Sequence, residues 1–201
     1  MKTQFLFLSK CPTGPRNLPN LGIYAMNNTH PEKPQRRSIR LKEYDYSRPG
    51  AYFVTICTHN REPILGNIVN GKMELNLYGK IVSTRWRSLR RRHKYMDLDA
   101  FVVMPNHFHG IIVIRSGTKR DAVPDIVRGF KTFSARRINQ ERGTPGNPVW
   151  QRNYWEHVIR DQDSFRRIHD YISTNPLRWH LDRENPQREG EDRFDRWLDS
   201  L

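Results

Sequence analysis

The chain has 201 residues, of which 35 are Lys or Arg and 21 Asp or Glu, for a formal net charge of +14. That length fits one globular domain with tails and leaves no room for a large multi-domain assembly. No run approaches the roughly 18–20 apolar residues of a membrane span, and Phe5-Leu6-Phe7-Leu8 is much shorter than the core of a signal peptide, so an intracellular, cytoplasmic protein is expected, with no membrane partner. Cys11 and Cys57 form no short metal or redox motif and read as small apolar residues.

Residues 1–42 carry eight basic side chains and one acidic, residues 43–181 carry 23 and 13, and residues 182–201 carry four and seven. The surplus therefore sits mainly in the segment that can fold. Its densest part, Arg85-Trp86-Arg87-Ser88-Leu89-Arg90-Arg91-Arg92-His93-Lys94, has six formal positive charges and no acid. A face of this kind binds a polyanion by releasing condensed counterions, which favours nucleic acid over an anionic membrane or a merely solvated helix face.

Residues 1–43 show five prolines and no sustained period, and are expected to be an irregular basic segment, partly disordered. Met26, ahead of a polar and basic stretch, offers an alternative start. Residues 52–57, Tyr-Phe-Val-Thr-Ile-Cys, form a strand bounded by Pro49-Gly50. Asn70-Gly71 supplies the two positive-φ positions of a tight hairpin turn. Tyr78, Ile81, Val82, Trp86 and Leu89 fall at helical spacing over residues 78–96, with most arginines off that stripe. Residues 98–104 and 107–114 read as neighbouring strands joined at Pro105-Asn106.

A second amphipathic helix carries Ile126, Val127, Phe130, Phe133 and Ile138, capped by Asp125 or begun just after Pro124. Residues 143–148 form a loop, and residues 150–160 an extended segment with aromatic anchors. A third helix, capped by Asp163 or Ser164, carries Phe165, Ile168, Tyr171 and Ile172 and ends at Pro176. This order favours an α+β domain over residues 44–181 with a mostly antiparallel sheet, followed by an acidic tail over 182–201.

The sharpest local feature is Met104-Pro105-Asn106-His107-Phe108-His109-Gly110. Strand period puts His107 and His109 on one face and Phe108 on the other, a geometry in which two imidazoles can meet one divalent metal. Gly110 is expected to leave room for a substrate backbone. Two histidines are too few to enclose a structural zinc, so an open catalytic site is the metal reading; two histidines satisfied by hydrogen bonds on a polar sheet face is the competing one. Tyr171 and Asn175, four residues apart, share a helix face, where a phenol can serve as nucleophile and an amide oxygen as ligand, or where the tyrosine is simply core.

These pieces resemble a known family. Arg37-Ser38-Ile39-Arg40-Leu41-Lys42, Gly50-Ala51-Tyr52-Phe53-Val54-Thr55-Ile56, Met104 to His109, Val127-Arg128-Gly129-Phe130-Lys131, Trp150-Gln151-Arg152 with Trp155-Glu156-His157, and Tyr171-Ile172 with Asn175-Pro176 are similar to the single-tyrosine His-hydrophobic-His transposases. Within them the match is to the branch associated with repetitive extragenic palindromes (REP). The resemblance implies a ferredoxin-like fold with helices on one side of the sheet and the histidine pair on a central strand.

It further implies that His107, His109 and Asn175 hold Mg²⁺ or Mn²⁺ while Tyr171 attacks a phosphate of single-stranded or hairpin DNA, forming a 5′-phosphotyrosine link. The insertion-sequence branch carries Gln where Asn175 stands. Arg128, Lys131, Arg152 and His157 fall in the matched motifs and are candidates for DNA contact, against a solvated or supporting role. Trp150 and Trp155 are expected to pack in the core. The expected partner is DNA and no small-molecule substrate, and the protein is expected to act as a monomer or homodimer. A non-catalytic protein that recognises palindromic hairpins is the alternative, and a replication initiator or relaxase of the same superfamily is a third.

Overall fold

Both faces of the first strand are apolar, and the architecture follows from that. In the computed structural model, which describes residues 44–116 and 121–200, β1 (Gly50–Cys57) buries Tyr52, Val54 and Ile56 on one side and Phe53 on the other. The expected irregular segment 1–43, with Cys11, Met26 and the Arg37-to-Lys42 motif, lies outside the described residues. A short hairpin follows, β2 (Gly66–Val69) and β3 (Lys72–Leu75), turning at Asn70 and Gly71 with φ of 50° and 71°. Both central residues are in the left-handed region, as a type I′ turn demands.

Helix α1 (Leu77–Arg92) begins on Asn76, whose side chain accepts from the N–H groups of Tyr78 and Gly79. It buries Val82, Trp86 and Leu89 and leaves Arg85, Arg87, Arg90, Arg91 and Arg92 exposed. The helix stops four residues short of the expected end, because Met96 is needed in β4 (Met96–Val103), where it pairs with Ile114. Strand β5 (His107–Ile114) is followed by α2 (Val123–Glu141), β6 (Trp155–Ile159), α3 (Gln162–Thr174), a 3-10 stretch (Asn175–Leu181) and α4 (Arg193–Leu198).

Two expected caps are displaced. Helix α2 starts from Ala122 with Pro124 in its first turn, and Asp125 instead pairs with Arg128 one turn along. Helix α3 is capped by Asp161, whose carboxylate accepts from both the N–H and the hydroxyl of Ser164. Pro176 acts as expected: α3 ends at Thr174 and the chain tightens into the 3-10 stretch.

The main sheet is antiparallel in the order β4-β5-β1-β6. With α1 between β1 and β4 and α2 between β5 and β6, this is the ferredoxin-like arrangement, and β5 is internal. Helices α1 and α2 cover one face through Trp86, Ile126, Val127 and Phe130. The expectation of helices on one side holds for this pair alone. Ile168, Tyr171 and Ile172 of α3, with Phe194 and Leu198 of α4, cover the opposite face over Phe53, Ile111 and Ile159. The reason is the two-sided apolarity of β1 and β5, which would leave Phe53 and Ile111 in water under a single helical layer. Trp150 is buried as expected, its indole N–H donating to Ser134 Oγ at 3.0 Å, while Trp155 is half-buried, edge-on to Phe53. No helix among the described residues is long and apolar enough to cross a membrane.

Candidate active site

Strand β5 presents His107 and His109 toward the α3 side, opposite Cys57 and Thr55 of β1, with ring centroids 4.5 Å apart. Phe108 points the other way, between Trp86 and Phe130 at 4.5 and 5.3 Å. Gly110 shares the Phe108 side, where an added Cβ would lie 2.6 Å from the Trp86 indole. The glycine therefore makes room for a core tryptophan and not, as the sequence suggested, for a substrate.

Helix α3 delivers Tyr171 because Ile168 and Ile172 anchor the same face against the sheet. The phenol donates to Asp182 Oδ2 at 3.1 Å and lies 3.4 Å from His109 Nε2. One turn on, Asn175 Nδ2 donates to the same Asp182 oxygen at 2.6 Å, and Asn175 Oδ1 is buried without a hydrogen-bond partner. Asp182 Oδ1 accepts from the N–H of Glu184 at 2.7 Å. Ligand atoms of His107, His109 and Asp182 all fall within 4.8 Å of one another, and all three residues are buried.

The ring orientations are fixed from behind. Asn106 uses its amide N–H groups on the carbonyls of Glu184 and Arg61, so its Oδ1, 2.9 Å from His107 Nδ1, is the acceptor and Nδ1 carries the proton. That leaves His107 Nε2 as a bare lone pair, buried and without a hydrogen-bond partner. Thr55 Oγ1 holds His109 Nδ1 at 2.8 Å. Arg61 binds Glu184 at 2.7 Å, and Cys57 Sγ donates to the same carboxylate.

Burial lowers the pKa of His107, and burial reinforced by the neighbouring His107 holds His109 well below the usual imidazole value, so both are neutral near pH 7. Burial, then the Asp182 and Asp195 charges, push the Tyr171 phenol well above 10. Burial works against ionising Asp182, but the charge the two imidazoles carry when protonated, together with the Asn175 amide and the Glu184 N–H, outweighs it and holds this carboxyl below its ordinary range. Neutral imidazoles beside a carboxylate and an amide oxygen are a donor set for a divalent cation.

Four of the eight sequence candidates thus meet at one point: His107, His109, Tyr171 and Asn175. The others do not. Arg128 and Lys131 lie on α2, across the sheet. Arg128 is 77% exposed at its side chain, whereas Lys131 Nζ donates to the carbonyls of Gln151 and Arg152 at 2.7 and 2.9 Å. Arg152 is exposed in that same loop. His157 is half-buried on β6 and lies parallel to Trp155, centroids 6.0 Å apart. Sequence reasoning missed Asp182, Asn106 and Thr55. Asp182 follows a proline-broken turn, so no helical register ties it to Tyr171, and its charge merges with those of the acidic segment after it. A cavity of about 100 Å³ is lined by Thr55, His109, Trp155, Tyr171 and Arg183.

The site thus joins a buried histidine pair on a central antiparallel strand to a tyrosine carried by the helix that faces it. Residues 50–175 match the model of the IS200-like transposases, and the chain belongs to that family. Among its relatives, an uncharacterised protein of Haemophilus influenzae is 40% identical over 169 residues, covering 73% of this chain and 91% of its own. A REP-associated tyrosine transposase of Escherichia coli is 25% identical, covering 66% of this chain and 70% of its own. A solved REP-associated tyrosine transposase bound to a REP hairpin shares the fold, with a TM-score of 0.51 at 23% identity over 69% of this chain and 72% of that one.

Proposed function

We propose that this protein nicks and rejoins single-stranded or hairpin DNA, with Tyr171 as the nucleophile. The observation that carries the reading is the convergence of Tyr171 on His107 and His109 in one buried cluster, with the phenol 3.4 Å from His109 Nε2. In the reaction the Tyr171 oxygen bonds to phosphorus as the bond to the 3′ oxygen breaks, giving a 5′-phosphotyrosine and a 3′-hydroxyl. The proton lost by the phenol is balanced by the one the 3′ oxygen gains. Because the link conserves the energy of the phosphodiester, the hydroxyl of the same or another strand can reverse the step.

The orphaned lone pair of His107 Nε2 and the orphaned Asn175 Oδ1 fit a cation held between the histidines and the α3 end. Mg²⁺ or Mn²⁺ held by His107, His109 and Asn175 would supply positive charge against the scissile phosphate. His109 is held for that task by Thr55 and His107 by Asn106. The exposed arginines of α1, with Arg128 and Arg152, are suited to grip the phosphate backbone away from the chemistry, and His157 beside Trp155 is suited to contact an unpaired base. Tyr171 is only 3% exposed, with Phe194 stacked on its ring at 3.8 Å, so substrate reaches it when that cover moves.

The test is incubation with a labelled palindromic hairpin and Mn²⁺, followed by denaturing electrophoresis. A protein–DNA adduct that survives denaturation and vanishes in Tyr171→Phe supports the reading. Retained hairpin binding with neither adduct nor cleavage replaces it with non-catalytic recognition. His107→Ala is expected to lose cleavage and keep most binding, since the grip lies mainly on the basic surface.

A further inference from the structure

Resting on that reading, we propose that Asp182 is itself a ligand of the cation, completing a two-histidine, one-carboxylate site, and that the same carboxylate positions the Tyr171 nucleophile beside it. The geometry at His107 is the starting point. Its Nε2 is an acceptor, because Nδ1 carries the proton to Asn106 Oδ1. It faces Asp182 Oδ2 at 3.7 Å, too far for a hydrogen bond, with both side chains fully buried. Two electron-rich atoms confront one another in a dry site with no proton between them. That arrangement is unfavourable by itself, and a divalent cation held by both residues would make it favourable.

Asp182 is also aimed. The Glu184 N–H fixes Oδ1 at 2.7 Å, and the Asn175 amide fixes Oδ2 at 2.6 Å. Asn175 thereby acts as a positioning residue through Nδ2, while its Oδ1 stays free to be a further ligand. Tyr171 donates to the same Oδ2 at 3.1 Å, so one oxygen sets where the nucleophile sits relative to the cation.

The test is direct Mn²⁺ binding to the full chain, followed by electron paramagnetic resonance of the free ion. Asp182→Asn keeps the shape and removes the charge. It is expected to weaken Mn²⁺ at least about tenfold, the scale on which even supporting partners of metal ligands act, while His107→Ala weakens it similarly. If Asp182→Asn binds as wild type and His107→Ala does not, the assignment of Asp182 fails and the histidine site stands. If wild type and His107→Ala bind Mn²⁺ alike, the histidine metal site itself fails, and this inference with it. Should Asp182→Asn not fold, Asp182→Cys provides a second signature: a thiolate–Cd²⁺ charge-transfer band above the background that wild type, with Cys11 and Cys57, gives. Absence of that band in a folded Asp182→Cys overturns the assignment.

Discussion

Gly110→Ala separates two meanings of the glycine that follows the histidine pair. If it served substrate approach, a methyl there would disturb DNA and leave folding alone. In the structure the new Cβ lies 2.6 Å from Trp86 Cζ2 and 2.9 Å from the Phe108 ring, both fully buried, with Trp86 wedged edge-on against Phe130. Such overpacking costs about 2–3 kcal/mol at the upper end of its usual range, and the better strand propensity of Ala returns about 0.5–1 kcal/mol. The net is about 1–2.5 kcal/mol, which for a folded region of this size lowers Tm by roughly 3–8 °C. Thermal and urea unfolding measure it. Trp86→Phe removes the atom that is struck, so the double variant should be less destabilised than the two single changes added together, by about 1 kcal/mol. Mn²⁺ affinity should not change, because the histidines face the other side of the sheet. A Gly110→Ala protein that melts within a degree of wild type but no longer cleaves hairpins refutes the packing argument.

Lys131 and Arg128 share a helix and should behave differently. Lys131→Met releases the carbonyls of Gln151 and Arg152 and is expected to cost on the order of 1 kcal/mol in stability with an unchanged salt dependence of hairpin binding. Arg128→Met, whose head is exposed and, among the described residues, paired with Asp125, should leave stability within about 0.5 kcal/mol and lower the salt slope by about one. Titrating affinity against salt checks both, and exchanged outcomes would reverse the assignments. Asp195 gives a pH signature. Burial raises its carboxyl to about 6, against the opposing pull of Arg183. The folded value lies above the unfolded one near 3.9, so its contribution is most favourable below about pH 4 and is lost as pH rises through 6. Urea midpoints for wild type and Asp195→Asn should therefore diverge between about pH 4 and 7, wild type losing ground by roughly 1–3 kcal/mol. A gap that stays flat with pH would show that Asp195 titrates as an ordinary surface acid.

What could be read in the sequence was local. Alternation along β5 placed both imidazoles on one face, the Asn70-Gly71 turn set its hairpin, and the stripe of Val82, Trp86 and Leu89 turned the arginines of α1 outward. These follow from backbone periods of 2 and 3.6, which neighbouring residues fix among themselves. Caps were less legible, since Asp161 had neighbouring competitors in Asp163 and Ser164 and the choice rested on where the apolar face met the sheet. The meaning of Gly110 was not legible at all, because its constraint is an indole 24 residues earlier in the chain.

The sequence by itself thus determined the α+β class, the histidine pair and the candidate tyrosine. Only the tertiary structure decided that α3 lies on the histidine face, that Lys131 braces a loop across the sheet, and that Asp182 sits among His107, His109, Tyr171 and Asn175. Asp182 comes from a turn with no period to count, and its partners lie 7, 11, 73 and 75 residues away in the chain. A carboxylate in such a place looks like surface charge until the fold removes it from water, and burial beside two neutral imidazoles is what gives it chemistry.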